Sequence, residues 1–193
     1  MATEPSSAPH QPQRADAARN RATVLAAAIR AFGAGDTEPS MREIARQAGV
    51  GVATVFRHFP TREALVDAVY QDQVVRLTSG ASELLADYPP AQALRRWMDL
   101  FAQWQATKHG MTDTLLTMID AGEISLAHTR QELMSAITMI LGAGATAGDI
   151  RADARADDVS AGILGMLAVA AKSGEPAQAQ RLLDLLMDGL RPR

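Results

Sequence analysis

Cysteine is absent from the 193 residues. That excludes a disulfide framework, thiolate metal ligation and a cysteine nucleophile, and it suits a reducing cytosol. Long apolar runs are missing too: the longest unbroken stretch of apolar residues and glycine, Ala161 to Ala171, is too short to cross a bilayer. The opening residues, MATEPSSAPHQPQ, have neither the basic start nor the apolar core of an export signal, so a cytoplasmic protein is expected. No segment alternates with the period of a strand, and none repeats. Catalytic patterns are also lacking: no glycine-rich phosphate loop follows a strand, there is no nucleophile elbow, and no acid pair is placed together by spacing. The expectation is a non-enzyme without a cofactor. His109 and His128, with Asp113, Asp120 and Glu123 between them, read as residues of exposed helix ends and not as metal ligands.

What is present is 47% apolar and 21% charged, enough to build one large or two small helical domains with a proper core. The net charge is -3, but it is unevenly spread. Through Tyr70 eight arginines face seven acids, a balance of +1, and the remainder carries -4. Arg19, Arg21, Arg42, Arg57 and Arg62 fall at helix ends or on outward faces, where they can form one mildly basic edge.

Residues 1–13 hold three prolines with serine and glutamine, a composition too polar to offset the entropy of ordering, and are expected to form a disordered arm. From Ala15 to Phe32 the positions Val24, Leu25, Ala28, Ile29 and Phe32 make one helical stripe, which Gly33 stops. Ser40 followed by Glu43 fits a capping box, so a second helix starts at Met41; Ile44, Ala45 and Ala48 give it an apolar face and Gly49 ends it. After a tight turn, Val55 and Phe59 lie four apart on the inner side of a third short helix. Its outer side is Val52, Ala53, Thr54, Arg57 and His58. Pro60 cannot continue that helix, and Thr61 caps the next. Two helices joined by a tight turn in this way make a helix-turn-helix. Arg62, a cation at a helix N-terminus, works against the macrodipole, and a bound phosphate would explain it.

The segment Ile44 to Leu65 resembles the DNA-binding signature of the tetracycline-repressor (TetR) family. The matching places are Ala48-Gly49-Val50, Phe56-Arg57-His58-Phe59 and Thr61-Arg62-Glu63. Departures are Gly51 for a usual serine cap, Phe56 for tyrosine and Arg62 for lysine. The resemblance implies that Phe56, His58 and Arg62 lie at the DNA backbone. Placement adds Ser40 and Arg42 as backbone contacts, and Val52, Ala53, Thr54 and Arg57 as readers of base edges and thymine methyls.

Beyond the motif, a helix from about 61 to 85 links two parts, and five more helices follow: 91–108, 111–120, 124–147, 158–171 and 176 to about 190. The expected fold is all-α. Residues 14–62 form the helix-turn-helix domain and 63–193 a helical bundle for ligand binding and dimerisation. Trp97, Phe101, Trp104, Met118 and Met134 could line an effector cavity, since pliant methionine suits pockets that accept varied ligands. The last two helices are apolar over too wide an arc for one neighbour. Gly162, Gly165, Leu182, Leu183, Leu186 and Leu190 are therefore expected at a homodimer interface. The resulting expectation is a dimeric, ligand-responsive repressor that binds a palindromic double-stranded operator and is released by a small molecule. The rival is a helical ligand-binding or adaptor protein that keeps the helix-turn-helix only as scaffold.

Overall fold

Capping chemistry sets where the helices begin and end. The computed structural model describes residues 11–34, 37–173 and 175–192, with 11–14 and 176 as backbone alone. Among these residues the chain forms nine helices and no strand. They are α1 (Gln11–Gly33), α2 (Met41–Ala48), α3 (Val52–His58), α4 (Arg62–Asp87), α5 (Pro90–His109), α6 (Thr112–Asp120), α7 (Leu126–Ala147), α8 (Ala156–Ser173) and α9 (Pro176–Gly189). The all-α architecture and the helix order are those expected. Helix α1 begins at Gln11, so the last three residues of the expected disordered arm are helical; the rest of that arm lies outside the described residues.

At the start of α2 the Ser40 hydroxyl accepts the amide of Glu43 at 3.2 Å, which satisfies one of the four amides a helix start leaves orphaned. At its end Gly49 takes φ +68, a left-handed conformation that costs a residue without Cβ little, and the Val50 amide closes back on Ala45. Thr61 caps α4 through the amide of Ala64 at 3.1 Å. Ser125 does the same for α7 through His128.

Packing divides the chain into two compact units. The first holds the described residues through Val69 together with Thr107–Leu115, which arrives from far along the chain. Its core is Val24, Ala27, Ala28, Phe32, Ile44, Ala45, Val55, Phe59, Leu65, Val66 and Val69, each 0–1% exposed, with Met111 and Leu115 from the distant segment. Burial of each large side chain contributes about 1.5–3 kcal/mol, far more than the propensity of helices as short as α2 and α3 could supply.

The turn between α5 and α6 closes onto the end of α1 in this unit. A Cβ on Gly110 would stand 1.8 Å from the carbonyl oxygen of Phe32 and 2.7 Å from its carbonyl carbon, so only glycine permits this approach of two backbones.

The second unit comprises Tyr70–Ala106 and the chain from Leu116 onward. Trp97, Leu94, Met98, Leu77, Ile137, Ile140, Ile163 and Leu183 are at most 1% exposed in its core. The Trp97 indole N–H donates to the Leu77 carbonyl at 2.8 Å, so its polar atom is satisfied where it is buried. Arg95 joins α5 to α9, donating to Asp184 at 2.6 Å and Gln180 at 2.5 Å while also holding Asp99 at 2.7 Å.

Two glycines of the same chemistry should therefore behave oppositely. Gly110→Ala must push two backbones apart and should lower the unfolding free energy by about 1–3 kcal/mol. Gly142→Ala, in the exposed middle of α7 with open space around it, should raise it by up to about 1 kcal/mol. Urea unfolding of both variants decides: a neutral Gly110→Ala would contradict the close approach.

Candidate nucleic-acid interface

Helix α3 is seven residues long, and its inner side is spent on the core. Val55 is fully buried and Phe59, its C-cap, is 1% exposed. The outer side is left to solvent. Ala53, Phe56 and Arg57, spaced i, i+3, i+4, are exposed, while Val52, Thr54 and His58 flank them half-buried. Phe56 shows 45% of its surface, unusual for an aromatic residue that could have turned inward. Ser40 and Arg42 are exposed at the start of α2. The Arg21 guanidinium sits 5.1 Å from the centre of the Phe59 ring and covers the core next to this face.

Arg62 departs from its expected role. Its Nε donates to a Glu38 carboxylate oxygen at 3.0 Å and to the Thr114 hydroxyl at 3.1 Å. One terminal nitrogen reaches the Pro39 carbonyl at 2.7 Å, and the other the same Glu38 oxygen at 2.5 Å. The expected phosphate clamp is instead an internal ion pair, with side chains 26% and 17% exposed. The anion that offsets the cation at this helix start is Glu38, from the segment just before the Ser40 cap.

Glu38 also serves a second helix start. Its other oxygen accepts the backbone amide of Thr114 at 3.0 Å, and the Thr114 hydroxyl donates to the carboxylate at 2.9 Å. Thr114 is the third residue of α6, so its amide is one of that helix's orphan donors, and Glu38 acts as an N-cap supplied from 76 residues away. Partial burial works to raise the Glu38 carboxyl, yet the Thr114 amide, the Arg62 guanidinium and the Thr114 hydroxyl together hold it below its ordinary value of 4.5.

The second candidate cluster lies in the second unit. Trp97 and Phe101 have ring centres 5.5 Å apart, Phe101 and Trp104 5.3 Å, and Trp104 and Tyr70 6.3 Å. Met118 is buried and Met134 half-buried. Sequence reasoning missed two polar members of this region. The buried Tyr70 hydroxyl donates to Thr129 at 2.9 Å, and Thr129 in turn donates to the Ser125 carbonyl at 3.3 Å. Burial pushes the Tyr70 phenol up against the opposing hydrogen bond to Thr129, with the charge of Glu132 adding to the rise, so the group stays neutral. Tyr70 follows Val66 and precedes Val74 at four-residue spacing, a signal that it belongs to the inner stripe of α4.

The expected dimer residues separate. Leu183 is fully buried and Leu190 7% exposed within their own chain, so neither can be shared with a partner. The Leu186 side chain comes within 3.5 Å of where a Gly162 Cβ would stand, which makes Gly162 a seam between α8 and α9. Gly165 is exposed, and Leu182 and Leu186 are half-buried. Apolar surface remains on the outer side of both helices at Leu164 (38% exposed), Val169 (59%) and Leu185 (63%). The helix phase, not the composition, decides which leucines look outward.

Comparisons with known proteins agree on one identity. A family model described as bacterial regulatory proteins, tetR family, matches residues 24–69, and one for the C-terminal domain of SbtR-like transcriptional regulators matches 89–192. The chain is 43% identical to a TetR transcriptional regulator of Streptomyces coelicolor, covering 89% of this chain and 98% of that one with a TM-score of 0.78. It is 36% identical to a TetR transcription regulatory protein of Mycobacterium vanbaalenii, covering 93% and 99% with a TM-score of 0.71. No curated protein matches. No helix among the described residues is long and apolar enough to cross a membrane.

The Glu38 network has a pH signature. Its folded carboxyl is lower than the unfolded one, so its contribution to stability is present above 4.5 and is lost as pH falls through the depressed folded value. Glu38→Gln cannot titrate. At neutral pH it should be less stable than the wild type by about 1–3 kcal/mol, and the gap should close in acid. An unchanged gap between neutral and strongly acidic pH, read by urea unfolding, would contradict the ion pair.

Proposed function

The chain belongs to the TetR family of bacterial transcriptional regulators, and from that premise we propose that it is a cytoplasmic homodimeric repressor, bound to a near-palindromic operator through α3 and released by a small molecule. The observation that carries this reading is the division of α3 into a fully buried inner side and an exposed outer side of Ala53, Phe56 and Arg57. A helix this short gains nothing for the fold by exposing a phenylalanine.

Base edges are read from the major groove by Val52, Ala53, Thr54 and Arg57, the small apolar side chains meeting thymine methyls and the polar ones supplying hydrogen bonds. Phe56 packs its ring on sugar or thymine methyl in place of a polar contact. Ser40, Arg42 and His58 hold the backbone and set the register. Two-fold symmetry of the protein requires two-fold symmetry of the site, with half-sites about one helical turn, ~34 Å, or somewhat more apart. The effector is apolar or amphipathic and enters among Trp97, Phe101, Trp104, Met118 and Met134, with the Tyr70–Thr129 pair as its polar anchor. To lower operator affinity tenfold it must prefer the released state by ~1.4 kcal/mol.

The test on DNA uses fluorescence anisotropy with the gene's own upstream sequence and with random duplex, across a salt series. Arg42→Ala should weaken both alike and flatten the salt slope by about 1 per site. Thr54→Ala should cost roughly 1–3 kcal/mol on the operator and little on random DNA. No preference for the upstream sequence by the wild type would refute the repressor reading.

The dimer rests on Leu164, Val169 and Leu185. Leu185→Glu puts a charge where the single chain leaves 63% of the side chain open, so light scattering should report a folded monomer with weakened operator binding. Leu183→Glu, buried in its own chain, should unfold the protein instead. A wild type that is monomeric at micromolar concentration would sink the dimer.

A further inference from the structure

Arg62 lies four residues beyond His58, the last residue of the reading helix, with about a quarter of its side chain open to solvent. Both terminal nitrogens keep a second proton beyond the contacts described, since a guanidinium carries five donors. A carboxylate and a phosphate diester present the same chemistry to such a group, two oxyanion oxygens that accept N–H donors. Glu38 offers it one of those oxygens at 2.5 and 3.0 Å.

We propose that Glu38 is an internal competitor for the DNA backbone: its carboxylate takes on Arg62 the place a DNA phosphate would take, and so sets how far Arg62 contributes to binding. The inference rests on the DNA-binding reading above and adds its regulation. In the latched arrangement Arg62 is neutralised and adds little to affinity. When Glu38 lets go, each subunit gains one cation at the end of α3.

The geometry also names what could loosen the latch. The remaining donors to Glu38 are the amide and hydroxyl of Thr114, in the first turn of α6. That helix runs on, one turn later, to Met118 among the proposed effector residues. A carboxylate shared by two helix starts cannot hold both unchanged if one moves, so a displacement of α6 changes the hold on Arg62 without any contact to DNA. Glu38 is thus a positioning residue: it acts on DNA through Arg62 and not directly.

The experiment measures the affinity of the full-length protein for random duplex by fluorescence anisotropy from 50 to 200 mM salt. Random DNA isolates the phosphate contribution. One extra phosphate contact per subunit steepens the slope by about 0.9 each, so for a dimer the loss of affinity over this fourfold salt range should grow roughly tenfold in Glu38→Gln. Arg62→Ala alone should leave the wild-type slope nearly unchanged, and adding it to Glu38→Gln should abolish the gain. Glu63→Gln is the control for charge alone. It removes an exposed acid next to Arg62 that makes no hydrogen bond to it, and should give clearly less than half the effect. Should Glu38→Gln fail to fold, Glu38→Asp keeps the charge but falls one methylene short, and is read on the same scale.

The competitor role is overturned if Glu38→Gln leaves the slope as it was, if Glu63→Gln matches it, or if the gain survives loss of Arg62. It is equally overturned if Arg62→Ala alone flattens the wild-type slope by about 1 per site, since Arg62 would then reach phosphate while latched. Failure of the wild type to bind any DNA is a different result: that would fall on the proposed function itself.

Discussion

One partly buried carboxylate holds three distant stretches of chain in register. Glu38 lies just before the cap of α2, Arg62 opens α4 and Thr114 lies in the first turn of α6, and they meet through hydrogen bonds of 2.5 to 3.1 Å. Each partner solves a problem of another. Arg62 is unfavourable at a helix start until an anion joins it, α6 has orphan amides until an acceptor arrives, and a half-buried carboxylate is costly until donors surround it. Together with the backbone approach of Gly110 to Phe32, this explains why Thr107–Leu115 packs with the helix-turn-helix and not with its neighbours in sequence.

That arrangement supports a reading helix that could not stand alone. Seven residues are too few for a stable isolated helix, so α3 exists because Val55 and Phe59 bury into α1 and α2 and because Gly49 lets the chain turn sharply. Since the inner side supplies the stability, the outer side is free to carry residues chosen for contact. An exposed Phe56 and an unpaired small-residue face at Ala53 are tolerated on those terms.

In the second unit the same division recurs at larger scale. An aromatic line from Trp97 through Phe101 and Trp104 to Tyr70 fills the interior, and its polar atoms at Trp97 and Tyr70 are satisfied by Leu77 and Thr129. Satisfied in this way the two groups can be buried at little cost, because a hydrogen bond left unmade within apolar surroundings costs much. Helices α8 and α9 keep Ile163 and Leu183 for their own core and leave Leu164, Val169 and Leu185 outside.

Much of this was legible in the residues alone. Helix number, order and most ends follow from local rules: Ser40 and Thr61 as caps, Gly33, Gly49 and Gly148 as stops, and a three- and four-residue apolar spacing between them. These signals act within one or two turns of chain, and so survive without knowledge of the fold. The TetR signature and the outward set around Arg57 are of the same local kind. What only the tertiary structure decided lies at long sequence separation or in helix phase. The partner of Arg62 is 24 residues away and that of Thr114 is 76 away, distances at which no spacing rule operates. Leu183 and Leu185 differ by two positions, about 200° around a helix, and composition cannot say which of them faces the core. Glycine at 110 is required by a contact between backbones, because what forbids a side chain there is the carbonyl of Phe32 and not the local conformation.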